Sequence, residues 1–249
     1  MNLIRGFVMS LGMFSVIPVP KNSWNDKFMP LVIPSLPLVG VVIGIIWYAL
    51  ALGFSKLAVP VPIQSFIVMI APFALSGFIH ADGYMDTADA ICSRGNLDEK
   101  KRILKDPHTG AFAVIAIVVM LLFELCVMRV FLDRRGEILV FAFIPAVSRS
   151  VTGIALLNLK PAFESGFNAS FKKNTKLRHT VFVCVFALIC LCAAWLALGT
   201  AALPLLAEIV TGIFVTLYLS RQFRGMSGDL CGCIITVSES AALLCAALI

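Results

Sequence analysis

The sequence predicts an all-α polytopic membrane protein, a bundle of about seven transmembrane helices with an N-terminal interfacial or re-entrant helix. Three observations predict it. Of 249 residues, 60% are hydrophobic and 14% charged, with a mean hydropathy of +0.98; a soluble domain carries about 45–50% apolar and about 25% charged residues. The apolar residues form long continuous runs rather than alternating, which selects helices over barrel strands. The charges, net +6, gather between those runs. This pattern excludes a disordered chain, a collagenous one and a disulfide-stapled secreted domain. It also argues against nucleic-acid binding, because the basic residues flank membrane segments instead of forming one patch.

The elements follow in order. The first 20 residues lack the A-x-A-like site of a signal peptide and lead into a basic polar stretch, so an interfacial or re-entrant helix is expected there. Spans are expected from Leu31 to Phe54, Leu57 to Ile79, Thr109 to Val130, Ile138 to Leu159, Thr180 to Gly199, Leu203 to Leu219 and Leu230 to Ile249. Pro34, Pro37, Pro60, Pro62 and Pro72 predict kinks or late starts in the first two. Between spans, Asn96-Leu97-Asp98-Glu99 opens a short amphipathic helix with a capping-box pattern, stopped by Pro107. No repeat or low-complexity linker divides the chain, so residues 1–249 are read as a single integral-membrane domain.

Lys and Arg set the orientation. Fifteen lie in the N-terminal segment, the loop His80–His108, the loop Lys160–His179 and the loop carrying Arg221 and Arg224; four lie on the other side, at Lys56, Arg129, Arg134 and Arg135. The excess places the polar loops in the cytoplasm and the C-terminus outside. The cluster Lys172, Lys173, Lys176 and Arg178 serves this signal and, secondarily, attracts an anionic nucleotide. The eight cysteines sit mostly in apolar runs without any C-x-x-C spacing, so free buried thiols are expected, with no zinc site and no disulfide framework.

The chemistry concentrates in His80-Ala81-Asp82-Gly83-Tyr84-Met85-Asp86-Thr87-Ala88-Asp89. Aspartates at i, i+4 and i+7 share about 60° of arc on one helical face, and Ser93 continues the stripe. Three carboxylates converging beside a membrane repel unless a cation lies among them. Mg²⁺ or Mn²⁺, hard ions that take oxygen ligands, fit that need and would in turn neutralise a pyrophosphate. The bland alternative is a solvated helix start capped by Asp82 or Asp86. Asp106 and Asp229 are expected on the same side, as further ligands or as caps. Arg149 lies inside an apolar run, where a charge is costly; either it pairs with a carboxylate such as Glu124 or Glu239, or it binds phosphate. His80 is about 160° around the helix from Asp82 and so is not automatically a ligand. Glu208 reads as structural.

The stretch GFIHADGYMDTADAICSRG resembles the H-x-D-G-x-x-D-T-A-D-G motif of the cobalamin synthase (adenosylcobinamide-GDP ribazoletransferase) family. Lys105-Asp106-Pro107-His108-Thr109-Gly110-Ala111-Phe112 is similar to its K-D-S-x-x-G-x-F/Y element. Ser148-Arg149 with Glu164-Ser165-Gly166-Phe167 resembles its S-R-W helix and G-L-G loop, and Gly225-Met226-Ser227-Gly228-Asp229 its G-x-T-G-D, with Glu239 ten residues on. Ala90, Pro107 and His108 depart from the usual Gly, Ser and Arg. The CDP-alcohol phosphotransferase pattern fits less well, since Thr87 stands where its Arg should be.

The resemblance implies an Mg²⁺-dependent phosphotransferase of vitamin B12 assembly, in a bacterial or archaeal plasma (inner) membrane with its active-site loops cytoplasmic. It would move the adenosylcobinamide phosphate group from adenosylcobinamide-GDP to α-ribazole or α-ribazole 5′-phosphate and release GMP. In that reading Asp82, Asp86, Asp89, Asp106 and Asp229 hold the metal. Asp89 positions or deprotonates the incoming hydroxyl, Arg149 and Arg94 balance charge, and His80, Ser93, Lys105 and His108 meet substrate. A CDP-alcohol-type phosphotransferase and, in a different class, an ion-coupled transporter are the alternatives. Partners are the substrates and the lipid bilayer, with the oligomeric state left open.

Overall fold

The computed structural model describes residues 2–57, 59–163 and 175–249, and every regular element among them is helical. The segment Glu164–Phe167 and the residues Lys172 and Lys173 lie outside the described residues. The helices are α1 (Asn2–Phe14), α2 (Leu36–Ser55), α3 (Val61–Leu75), α4 (Ile79–Cys92), α5 (Leu97–Ile103), α6 (Ala111–Asp133), α7 (Ile144–Asn158), α8 (Leu177–Leu198), α9 (Leu203–Phe223) and α10 (Gly228–Leu248).

Five apolar stretches are long enough to cross a bilayer: Leu36–Ser55, Ala111–Asp133, Ile138–Asn158, Leu177–Phe223 and Gly228–Leu248; the pair α3–α4 adds a sixth if counted as one span. The stretch Leu177–Phe223 has 47 residues, about 70 Å at the helical rise, more than twice the ~30 Å of hydrocarbon. It contains two helices, α8 and α9, of 22 and 21 residues, joined by a 3-10 turn at Gly199–Ala202. Helix α1, at 13 residues, is too short to span.

The expected span from Leu57 to Ile79 is where the structure differs. Helix α3 is only 15 residues long, starting after Pro60, and the chain turns by 87° into α4. Gly77 (φ +64°) and Phe78 (φ +59°) take left-handed backbone at the break, which ends one helix and starts the next on a new axis. The polar helix α4 thereby enters the bundle instead of lying in a loop. The amphipathic segment after Asn96 forms as expected, the Asn96 side chain accepting from the Glu99 N–H at 3.0 Å, but it ends at Ile103, before Pro107.

Large apolar side chains on α6, α8 and α9, among them Val119, Leu188, Ile189, Leu196, Val210 and Phe214, stay exposed. In water they would aggregate; against acyl chains they face a matching solvent. The interior is built around α2, α7 and α10. Trp47 stacks on Phe141 with ring centroids 4.4 Å apart and donates its indole N–H to the Val68 carbonyl at 2.7 Å. Helix α2 meets the 3-10 turn Ile138–Ala142, which leads into α7, through Gly44, where an added Cβ would overlap the Ala142 carbonyl. All eight cysteines are free, as expected, but only Cys231 and Cys233 are buried; Cys126, Cys184 and Cys192 lie on the exposed apolar faces of α6 and α8, and Cys92 is exposed at the end of α4.

The contrast between two glycines of α2 gives a test. Gly44→Ala should lower the thermal midpoint in detergent micelles, with a cost in the range of about 1–3 kcal/mol typical of overpacking. Gly53→Ala, whose new methyl meets nothing within 4 Å, should leave the midpoint unchanged or raise it, by up to about 1 kcal/mol.

Candidate active site

Helix α4 divides its residues between two faces. His80, Ala81, Gly83, Thr87 and Ala90 are buried, whereas Asp82 is exposed and Asp86 and Asp89 are partly exposed. The buried side is small so that α10 can approach its backbone: a Cβ on Gly83 would stand 2.6 Å from the Asp229 carbonyl oxygen, and one on Gly232 would stand 2.8 Å from that of His80. Thr236 Oγ1 donates to the same His80 carbonyl at 3.3 Å. The contact sets the first turn of α10, with Asp229, beside the aspartate stripe. Ser227 caps α10 by accepting from the Leu230 N–H at 3.3 Å.

Asp86 lies within the electrostatic reach of Asp82, Asp229 and Asp89. The Asp89 carboxylate presses on Gly110, where any Cβ would overlap it, and this joins the stripe to the start of α6. The ion pairs among the described residues are His108–Asp106, Arg129–Asp133 and Arg149–Glu239, so none of these four carboxylates is neutralised by one. The first turn of α10 adds the positive end of a helix dipole next to them. As the side chains stand, no three His, Cys, Asp or Glu among the described residues are close enough to hold a metal ion. The donor set nevertheless fits one: hard carboxylate oxygens without counter-charge, on two helices packed backbone to backbone.

Other expected residues are placed differently. Asp106 accepts from the backbone N–H of His108 at 3.0 Å and lies 2.7 Å from its Nδ1, contacts that hold the Asp106 carboxyl below the usual carboxylate range. It is engaged by its own loop, not by the other carboxylates. Ser93 Oγ donates to the Ala90 carbonyl at 2.8 Å and accepts from the Gly95 N–H, ending α4. Arg94 follows in left-handed backbone (φ +55°) and is exposed. Lys105 Nζ sits 4.2 Å above the Phe163 ring, while Lys101 donates to the Ala162 carbonyl at 2.5 Å and Lys100 to Gln222 at 2.7 Å. These contacts tie α5 to residues 161–163 and to the end of α9.

Arg149 is fully buried, and of its two readings the carboxylate pair is the one seen. Its Nη1 donates to Glu239 at 2.6 Å, to Ser148 Oγ at 3.1 Å and to the Pro145 carbonyl at 3.2 Å; Nη2 donates to Ser76 Oγ at 3.2 Å. Glu124 instead accepts from Ser240 Oγ. His80 is buried near Arg149, sharing with it, Ser76 and Glu239 the wall of a cavity of about 10 Å³, and its Nε2 has no hydrogen-bond partner among the described residues. Glu208 is buried within electrostatic reach of Glu239 and Arg149. Sequence reasoning missed Ser76 and Thr236, which look like ordinary small residues of apolar helices. It also missed the role of Gly110, whose only signal was its place in the K-D-S-x-x-G element.

Comparison with known proteins matches the chain to one family. A family model described as cobalamin-5-phosphate synthase aligns with residues 6–247. The chain belongs to that family. Among its relatives, the adenosylcobinamide-GDP ribazoletransferase of Clostridium perfringens (strain SM101 / Type A) is 32% identical over 237 residues, 95% of this chain and 94% of that one. The enzyme of the same name from Clostridium botulinum (strain Alaska E43 / Type E3) is 30% identical, covering 99% and 98%, and that of Geobacillus sp. (strain WCH70) 29%, covering 94% and 92%. No solved structure gives a significant match. Every segment of the site, from α4 to the first turn of α10, lies inside the family match.

The Arg149–Glu239 pair makes a specific prediction for this family member. Arg149→Met leaves a buried carboxylate uncompensated and should destabilise the protein by about 3–5 kcal/mol; adding Glu239→Met should recover much of the loss. Thermal unfolding of both variants in detergent checks this.

Proposed function

We propose that this chain transfers the adenosylcobinamide phosphate group of adenosylcobinamide-GDP to α-ribazole or α-ribazole 5′-phosphate, with release of GMP. The observation that carries the reading is the stripe Asp82, Asp86 and Asp89 with Asp229 held beside it by the close contact of α4 and α10. Four carboxylates without a neutralising ion pair, next to a helix N-terminus, suit a site that binds an anionic diphosphate through a divalent cation. The names of the relatives and the family match support the same activity. The positive-inside excess of Lys and Arg supports a reading in which this polar end faces the cytoplasm from an inner membrane.

The reaction is attack of a ribose hydroxyl on a diphosphate phosphorus, and it needs positioning and charge stabilisation more than covalent chemistry. Asp82, Asp86 and Asp229 are the residues that would hold Mg²⁺, with Asp89 at the outer end of the stripe. When bound, that ion would neutralise the diphosphate oxygens and stabilise the departing GMP. Asp89, in contact with the Gly110 backbone, is fixed at the edge of the cluster and orients the incoming hydroxyl, taking its proton. Arg149 is committed to Glu239, so it acts as a positioning residue that holds the end of α3 to α7 and α10. Charge balance falls to the exposed Arg94 and to the basic residues of α5. Lys105 and His108, both exposed, remain available to an anionic substrate.

Purified protein should form GMP and the cobalamin product in equal amounts from adenosylcobinamide-GDP and α-ribazole 5′-phosphate with Mg²⁺, and EDTA should abolish both. Asp82→Asn or Asp86→Asn should lower kcat by on the order of a hundredfold or more while the protein remains monodisperse. Absence of product from folded wild-type protein would refute the assignment.

A further inference from the structure

Directly against Asp82 lies a cavity of about 180 Å³ that the transfer chemistry leaves unused. It is lined by Phe73 at the end of α3, Phe78 at the bend, Asp82 and Met85 on α4, and Ile117 and Leu121 on α6. Among the described residues that line it, Asp82 has the only polar side chain. Phe78 is 49% exposed, held there by the left-handed turn that separates α3 from α4. The bend that brings the aspartates into the bundle therefore also builds an apolar compartment beside the first of them.

We propose that this compartment receives the base of the acceptor nucleoside, an apolar bicyclic aromatic ring of the benzimidazole type. The inference rests on the transferase reading above and adds to it the place and chemistry of one substrate group. Three features select this occupant. Asp82 forms part of the cavity wall, so an occupant there reaches the carboxylates with its reacting end. Its volume is below the roughly 300–1,000 Å³ of pockets that enclose a whole drug-sized ligand, so it admits a single ring system and not a corrin. Its walls offer Phe, Met and aliphatic contacts, which suit an aromatic face, and they leave the several polar edge groups of guanine without partners. A benzimidazole has few such groups to satisfy.

The test uses the full-length protein in detergent, with initial rates measured while each substrate is varied in turn. Ile117→Trp, which fills the cavity from α6, should raise KM for α-ribazole 5′-phosphate by about tenfold or more and leave KM for adenosylcobinamide-GDP nearly unchanged. Free 5,6-dimethylbenzimidazole should inhibit wild-type protein competitively against the acceptor and not against the donor, a readout that needs no variant. A rise in donor KM instead would overturn the proposal and assign the cavity to the donor. No change in either KM, with no competition by the free base, would overturn it in favour of a lipid chain. If wild-type protein forms no GMP at all, the transferase reading fails. Equilibrium titration with the free base, with and without Ile117→Trp, then decides the cavity independently: saturable binding lost in the variant supports it and no binding refutes it.

Discussion

The contact of two backbones, α4 against α10 at Gly83 and Gly232, is the constraint on which the rest of the site depends. With no Cβ at either position, a helix rich in carboxylates can lie against the deeply buried helix α10, and Asp229 arrives beside Asp82 and Asp86. The same approach explains why the buried side of α4 is small while its other side is acidic. The proposed chemistry needs a dense negative cluster held rigidly. A backbone contact supplies that rigidity without placing a cation where substrate has to bind.

A second constraint comes from the solvent. Inside a membrane an unpaired charge is expensive, and the bundle keeps Arg149 by surrounding it with Glu239, Ser148, Ser76 and a carbonyl. These partners come from the end of α3, from α7 and from α10, so the network fixes the bend that follows Ser76. The polar interior is thus part of the scaffold that aims α4, and Glu239, an acidic group that could suggest ion transport, is tied into that scaffold. Glu124 with Ser240 follows the same pattern.

Much of this was legible in the sequence. Continuous apolar runs gave the helical membrane class, and the boundaries of α6, of α10 and of the helical segment Ile138–Asn158 fall close to those expected. The i, i+4, i+7 spacing put three aspartates on one face, as the structure has them. The bend between α3 and α4 was not legible, because hydropathy reads Leu57 to Ile79 as one run and the left-handed turn at Gly77 and Phe78 is a tertiary outcome. Nor could spacing distinguish Asp229, which α10 carries to the stripe, from Asp106, which its neighbour His108 engages. That distinction depends on helix packing between residues far apart in the chain.

The central claim is that Asp82, Asp86 and Asp229 make one divalent-cation site and that Asp106 stands outside it. Mn²⁺ titration of the purified protein, followed by electron paramagnetic resonance, tests it most directly. The account predicts one bound Mn²⁺ in wild-type protein and in Asp106→Asn, and its loss in Asp82→Asn and in Asp229→Asn. Binding that survives in the latter two variants, or disappears in Asp106→Asn while they keep it, would contradict the account.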